Sequence, residues 1–227
     1  MHNYKKFIKI AAIMTTFVAS LDNSYAASGF AIGPKIGLEG FGVEGRANIA
    51  DNLYGRLGVN YFGYTPKLKS STLNYKVTLT MLTVPLMLDY HPIDGSGFRV
   101  SAGVAYNGTK VTGKSTPAQN VTLYGNTYTP DQIGTVKSTL EFKSKIAPIL
   151  SIGYDSSLLD DSPWSFNAEA GFMYAGKAKI KVSASGLLGQ QTQTINDVNK
   201  DVNKNLDSIN KYLKFLPVVS IGIKFNI

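Results

Sequence analysis

Few residues in this 227-residue chain could do covalent chemistry, and their spacing argues against most of it. The chain has two histidines and no cysteine. A Ser-His-Asp arrangement needs a histidine held beside its nucleophile. His2 falls in an export leader, leaving His91 in Tyr90-His91-Pro92, a turn setting at the end of an apolar run. Without cysteine there are no disulfides, thiolate zinc sites, iron–sulfur clusters or cysteine nucleophile. One remaining histidine is too few for an ordinary transition-metal site. Asp160-Asp161 sit side by side in a turn and read as solvated, not as a general acid and base. Gly40-Phe41-Gly42-Val43-Glu44-Gly45 spells a dinucleotide-binding pattern. That pattern needs a helix after it and an acid about 20 residues on. Here strand-like alternation runs through the glycines, and Tyr64 stands where the acid should be. The chain reads as no enzyme, with no catalytic residue, cofactor or metal.

Charge is the chemistry that remains. Glu44, Arg46, Arg56, Asp89, Arg99, Glu141, Lys143, Lys145, Glu169, Lys177, Lys179, Lys181 and Lys224 all fall on one alternation phase of their segments, opposite the apolar phase. If that phase lines a narrow lumen, the charges must pair, because water there is limited. Two readings stay open. One is a structural plug of ion pairs around Arg56, Arg99, Glu44 and Glu169. The other is a selectivity ladder whose basic rim, Lys143, Lys145, Lys177, Lys179 and Lys181, favours anions or carboxylate-bearing solutes. The formal net charge is +8, yet the only lysine cluster that stands out is Lys5, Lys6 and Lys9, so nucleic acid is not the implied partner.

The elements that must position these charges are written in period two. In 164–184 the even positions carry Trp164, Phe166, Phe172, Tyr174, Ile180 and Val182, and the odd positions carry Ser165, Asn167, Glu169, Lys177, Lys179 and Lys181. A strand sends alternate side chains to opposite faces, whereas a helix would smear these lysines around every side. The same alternation fits 53–63, 98–106, 140–154 and the C-terminal segment. Segment 73–90 also alternates, but its phase slips near Met81, which a bulge would explain.

The N-terminus is different. Lys5, Lys6 and Lys9 precede an apolar run from Ile10 to Ala19, then Ser24-Tyr25-Ala26. This is the layout of a secretory signal peptide, 1–26, with 27–227 as the mature domain. The run is about half the roughly 20 residues a spanning helix needs.

An exported alternating chain is either a soluble sandwich or a membrane β-barrel. The strands run roughly 10 to 20 residues, against about 5–6 in soluble sheets and about 9–11 for a bilayer crossing. Aromatic residues sit near strand ends, where interface girdles form. Only 17% of residues are charged, fewer than the roughly 25% of a soluble domain. The fold expected is an all-β, eight-stranded antiparallel transmembrane barrel. Its strands fall at about 29–37, 41–50, 53–64, 75–90, 98–112, 138–154, 164–184 and 215–227. The first pair rests on a phase flip at Leu38–Phe41, read as a tight hairpin; a single bent strand there is the alternative. Within 194–213, Ile195, Val198, Val202, Leu206, Ile209 and Leu213 recur every three or four residues, so an amphipathic helix precedes the last strand. It either caps the barrel mouth or meets a partner or a lipid surface.

Taken together, Ile36-Gly37-Leu38-Glu39-Gly40-Phe41-Gly42, Leu57-Gly58-Val59-Asn60-Tyr61-Phe62, Leu88-Asp89-Tyr90-His91-Pro92, Phe98-Arg99-Val100-Ser101-Ala102-Gly103, Lys145-Ile146-Ala147-Pro148-Ile149-Leu150 and Pro217-Val218-Val219-Ser220-Ile221-Gly222 resemble the strands of small Gram-negative outer-membrane barrels. The likeness spans nearly all of 30–227. It is nearest to the CarO-type ornithine-uptake porins and YfaZ-like proteins, within the wider set of OmpW- and OmpA-type barrels. The usual C-terminal aromatic is displaced, since the chain ends Phe225-Asn226-Ile227. The resemblance implies an outer-membrane location, contact with lipid and lipopolysaccharide, and insertion by the barrel-assembly machinery. It also implies a small gated porin-like channel for small polar or anionic solutes. The alternative is a non-conducting surface protein, an adhesin or antigen displaying its loops and helix. A folded barrel is expected to migrate differently on a detergent gel before and after boiling. Identical migration, with a monodisperse folded product in detergent-free buffer, would mark a soluble sandwich instead.

Overall fold

The computed structural model describes residues 29–69, 73–117, 119–159 and 162–227, and the side chains of all of these except 67–69, 73–75 and 123. The expected leader, 1–26, and the Asp160-Asp161 pair lie outside the described residues. Alternation yields strands β1 (Phe30–Gly37), β2 (Gly40–Ala50), β3 (Leu53–Tyr64), β4 (Lys67–Lys69), β5 (Leu73–Tyr90), β6 (Phe98–Asn107) and β7 (Lys110–Pro117). A short hairpin, β8 (Val121–Leu123) and β9 (Asn126–Tyr128), follows. Then come β10 (Val136–Phe142), β11 (Ile146–Asp155), β12 (Trp164–Tyr174), β13 (Ala178–Ala184) and β14 (Phe215–Asn226). Helices α1 (Pro130–Ile133), α2 (Leu187–Gln190) and α3 (Thr192–Leu213) occupy the connections.

Neighbouring strands pair antiparallel and close in the order β1, β2, β3, β5, β6, β11, β12, β14 and back to β1. The fold is therefore an eight-stranded antiparallel transmembrane β-barrel with a helix before its last strand. No helix among the described residues is long and apolar enough to cross a membrane. The N-terminal hairpin is present: Gly37 pairs with Gly40, whose φ of 105° suits a residue without a Cβ. The glycine-rich segment is a hairpin entering a strand, as its alternation implied.

Outward positions of the barrel are apolar. Leu86, Leu88, Ile221 and Ile223 leave 52–56% of their surface open. In water that would be an aggregation hazard; against acyl chains it is the ordinary state of a barrel wall. Aromatic pairs mark its rims, with Trp164 against Phe225 at 5.0 Å and Phe172 against Phe215 at 5.9 Å.

Three of the expected long strands are interrupted: β6 runs on into β7, β10 into β11 and β12 into β13, each pair crossing the wall as one strand. Beyond the membrane belt the upper part of β5, with β7, β10 and β13, continues as a four-stranded flap. The faces invert where the flap begins. From Tyr106 to Lys110 is four positions, whereas from their partners Ile146 to Glu141 is five, so a one-residue bulge sits at Lys143–Lys145. Ala175–Lys177 interrupts the next strand, with Gly176 at φ 70°. A one-residue slip sends every later side chain to the opposite face. The bulge expected near Met81 is absent. β5 keeps one register with β3 from Tyr90 to Leu79, and with β6 and β7 from Tyr90 to Leu73. Its phase changes because the surroundings do: outward positions meet lipid at Leu82–Tyr90 and open toward water at Lys76 and Thr78.

Among the described residues the flap ends at β13, an edge with no strand beside it. α3 covers that edge with three carboxamides. Asn210, Asn203 and Asn199 accept from the backbone N–H of Ala178, Ile180 and Val182 at 2.8, 3.0 and 2.7 Å. Their amide groups donate back to the same residues' carbonyls at 3.2, 2.7 and 3.0 Å. Each side chain thus does what a neighbouring peptide would, and the edge is no longer a template for another chain. Below the ladder, Leu206 packs with Phe142, Ala175 and Ala178. The cap is completed by α1, α2 and the β8–β9 hairpin. Tyr128, Ile133 and Leu188 pack together, and Tyr124 donates to Asp201 at 2.5 Å.

Replacing Asn203 by Ala removes about 1 kcal/mol of pairing. Amide exchange at Ile180 is expected to quicken roughly 5-fold, with the barrel strands unchanged. Equal exchange in both proteins would show that the carboxamide does not hold the edge.

Candidate functional site

The barrel interior holds the sequence-derived charges that matter. On β2 the inward positions are Gly42, Glu44 and Arg46; on β3 they include Arg56 and Asn60; on β5, Met87 and Asp89. β6 contributes Arg99 and Ser101, β12 contributes Asn167 and Glu169, and β14 contributes Lys224. Arg56 sits at the centre. Its Nε donates to Asp89 Oδ2 at 2.7 Å and its Nη2 to Asp89 Oδ1 at 3.0 Å. Nη1 donates to Glu44 Oε2 at 2.8 Å and to Glu169 Oε2 at 2.7 Å, and Nη2 reaches Glu169 Oε1 at 2.9 Å. All five N–H groups of the guanidinium are used, two pairs of them as forks on a carboxylate.

The network spreads from there. Arg99 Nη1 donates to Asp89 at 2.6 Å, and Ser151 donates to Glu169 at 2.6 Å. Toward the turn end, Lys224 lies 3.2 Å from Glu44 and 2.9 Å from Asp155, and Arg46 lies 3.1 Å from Asp155. Toward the loop end, Lys35 lies 3.2 Å from Glu44 and 4.0 Å from Glu39. Glu39 also accepts from Asn60 and Thr83. Beside this polar seam sits an apolar cluster of Met87, Ala105, Ala147, Ile149, Met173 and Val218. Among the described residues the buried charges are five cations, Lys35, Arg46, Arg56, Arg99 and Lys224, and five anions, Glu39, Glu44, Asp89, Asp155 and Glu169. The layer is formally neutral and fills the lumen.

The structure places Glu44, Arg46, Arg56, Asp89, Arg99, Glu169 and Lys224 inside the barrel. Glu141, Lys143, Lys145, Lys177, Lys179 and Lys181, expected on the same inward phase, are instead exposed on the outer side of the flap or at its bulges. The bulges at Lys143–Lys145 and at Ala175–Lys177 exchange the two faces, so the phase that is inward in β11 and β12 is outward in β10 and β13. Lys35, Glu39 and Asp155 join the interior unforeseen. Lys35 and Asp155 lie on the inward phases of 30–37 and 146–155, so their spacing carried the signal; Glu39 is set by the hairpin. His91 follows the last residue of β5. It is buried edge-on against Tyr54, with ring centroids 5.3 Å apart, and Arg46 lies over the Tyr54 ring at 4.4 Å. Burial, then the nearby Arg46 charge, pushes its pKa below the usual histidine range.

This geometry defines the class: a small β-barrel that crosses a membrane with strands and packs its own lumen. No known family profile matches the sequence, and no curated protein matches it. Solved structures do. Acinetobacter baumannii CarO2 superposes with a TM-score of 0.55 at 19% identity, over 88% of this chain and 99% of that one. Acinetobacter baumannii CarO superposes with a TM-score of 0.52 at 19% identity, over 86% of this chain and 96% of that one. The chain has the CarO-type barrel fold.

Removing one member of a buried ionic network strands its partners, at about 3–5 kcal/mol. Arg56→Ala is therefore expected to lower the unfolding free energy by that amount in urea titrations of the vesicle-inserted protein. Lys181→Ala is expected to change it by less than about 0.5 kcal/mol. Equal losses would contradict the division into lumen and outer-face charges.

Proposed function

We propose that this chain is an outer-membrane protein whose barrel is a sealed anchor and whose work is done by the loop end it displays. Export by a cleaved leader, insertion by the barrel-assembly machinery and seating in outer-membrane lipid belong to this reading; no enzymatic step does. The observation that supports it best is Arg56, bonded through all five of its N–H groups in the middle of a neutral, fully buried charge layer. An eight-stranded barrel is just wide enough for side chains to fill it. A water path here would need the Arg56 bridges and the packing around Met87 and Met173 to come apart together. The displayed end is a built structure: the β8–β9 hairpin, α1, α2 and α3 bind one another around Tyr128, Ile133 and Leu188. Such a surface suits contact with host, phage or envelope partners.

A gated porin-like channel for small polar or anionic solutes is the second reading. The polar seam of Lys35, Glu39, Asn60 and Thr83, which continues the charge layer toward the loop end, favours it. Planar-bilayer recording separates the two. The sealed-anchor reading expects no unitary current steps at any applied voltage or salt concentration. Reproducible steps, abolished or enlarged by Arg56→Ala, would establish conduction and end it.

A further inference from the structure

The charges that the bulges turn outward form a pattern of their own. In register across the flap, Lys76 on β5, Lys114 on β7 and Lys137 on β10 lie directly opposite one another. Two residues nearer the barrel the row is Thr78, Thr112, Thr139 and Lys181. Nearer still it is Lys110, Glu141 and Lys179. Side chains directly opposite on a sheet have Cβ atoms about 4.5–5.5 Å apart, and like charges so placed are destabilising. Among the described residues Glu141 is the only carboxylate at the outward positions of these strands, and it pairs with Lys145 at 3.7 Å while both are nearly half exposed. The lysines cannot turn inward, because the other face packs Leu140, Phe142 and Ile180 against Leu206 and Leu213 of α3. Together with the edge of α3, the face encloses an open hollow of about 850 Å³ lined by Lys110, Lys137, Lys179 and Lys181.

Its height says what could fill it. Tyr106 and Ile146, the last outward apolar residues of the belt on these strands, sit just below. Lys110 is four residues on from Tyr106, roughly 13 Å along the strand. The tilt of barrel strands, about 40°, brings that height close to the headgroup zone. Lys114 and Lys137 stand higher by about the same again. A phospholipid carries a single phosphate at headgroup level and would meet the lower lysines alone. Reaching both levels takes a tall headgroup with several phosphates.

We propose that the outward face of the flap is a docking site for the phosphates of a multiply phosphorylated glycolipid headgroup in the surrounding leaflet. The anion neutralises the lysine rows and fixes the flap against the membrane surface. This rests on the outer-membrane seating proposed above, and not on whether the lumen conducts. The test uses the folded full-length protein in non-ionic detergent. Its binding to core-truncated lipopolysaccharide is compared with binding to the dephosphorylated form, to phosphatidylglycerol and to inorganic phosphate. Each juxtamembrane lysine contributes roughly fivefold in such contacts. The variant carrying Lys114→Gln, Lys137→Gln, Lys179→Gln and Lys181→Gln is expected to bind the phosphorylated glycolipid on the order of 100-fold more weakly. It should keep the boiled-to-unboiled gel shift. In the unaltered protein the dephosphorylated form and phosphatidylglycerol should also bind on the order of 100-fold more weakly, and inorganic phosphate should compete only at high concentration. Equal affinity of the unaltered protein for the phosphorylated and dephosphorylated forms overturns the proposal whether or not the variant folds. Saturation by inorganic phosphate alone would reassign the face to free anions.

Discussion

The structure depends on keeping charge inside a narrow tube without leaving any of it alone. Among the described residues, five buried cations and five buried anions meet that demand in one connected layer. Arg56 is its centre because only a guanidinium offers five N–H groups in a fixed plane, enough to bridge Asp89, Glu44 and Glu169 at once. Strands from all round the wall supply the partners, β1 and β2 through Lys35 and Glu44, β5 through Asp89, β12 through Glu169, β14 through Lys224. The layer therefore ties the barrel across its diameter as well as around its circumference. A buried ionic cluster is not by itself a strong source of stability compared with an apolar filling. It does fix which strand faces which, since a shifted register would leave charges unpaired.

That neutrality has an effect outside. The chain's net charge is +8, and the interior contributes nothing to it. The surplus lies outside this layer, with the exposed face of the flap holding a dense share. Bulges decide the distribution. The irregular segments stay bonded to each other, Lys143 N–H to the Lys177 carbonyl at 3.0 Å and Ser144 N–H to the Ala175 carbonyl at 3.2 Å, while each strand presents grease to lipid below and ammonium groups to water above.

How much of this the sequence carried differs by element. Period-two alternation located every barrel strand within about two residues at most ends, because lipid on one side and crowding on the other leave little choice at each position. The hairpin at Gly37–Gly40 was legible from a phase flip alone. The central ion cluster was legible from phase too, at Arg56, Arg99, Glu44 and Glu169. Alternation carries no mark of the surroundings, however. Glu169 and Lys179 share one parity, and only the backbone turn at Gly176 puts the first inside and the second outside. At Met81 the opposite happened: parity slipped with no change of register. The asparagines of α3 were visible as polar filler between apolar repeats. Their role rests on a distance match between helix positions and alternate strand residues, which composition does not show.

The ladder of Asn199, Asn203 and Asn210 carries an implication for how such walls can end. A strand normally needs another strand to finish it, so sheets grow in whole strands and close in even numbers. A helix tipped with carboxamides at suitable intervals lets the wall stop part-way up, with no seam and no added diameter. The lower storey can stay narrow enough to be packed solid while the upper storey opens into a half-cylinder with room for loops. Length and girth, coupled in a simple tube, become separate choices.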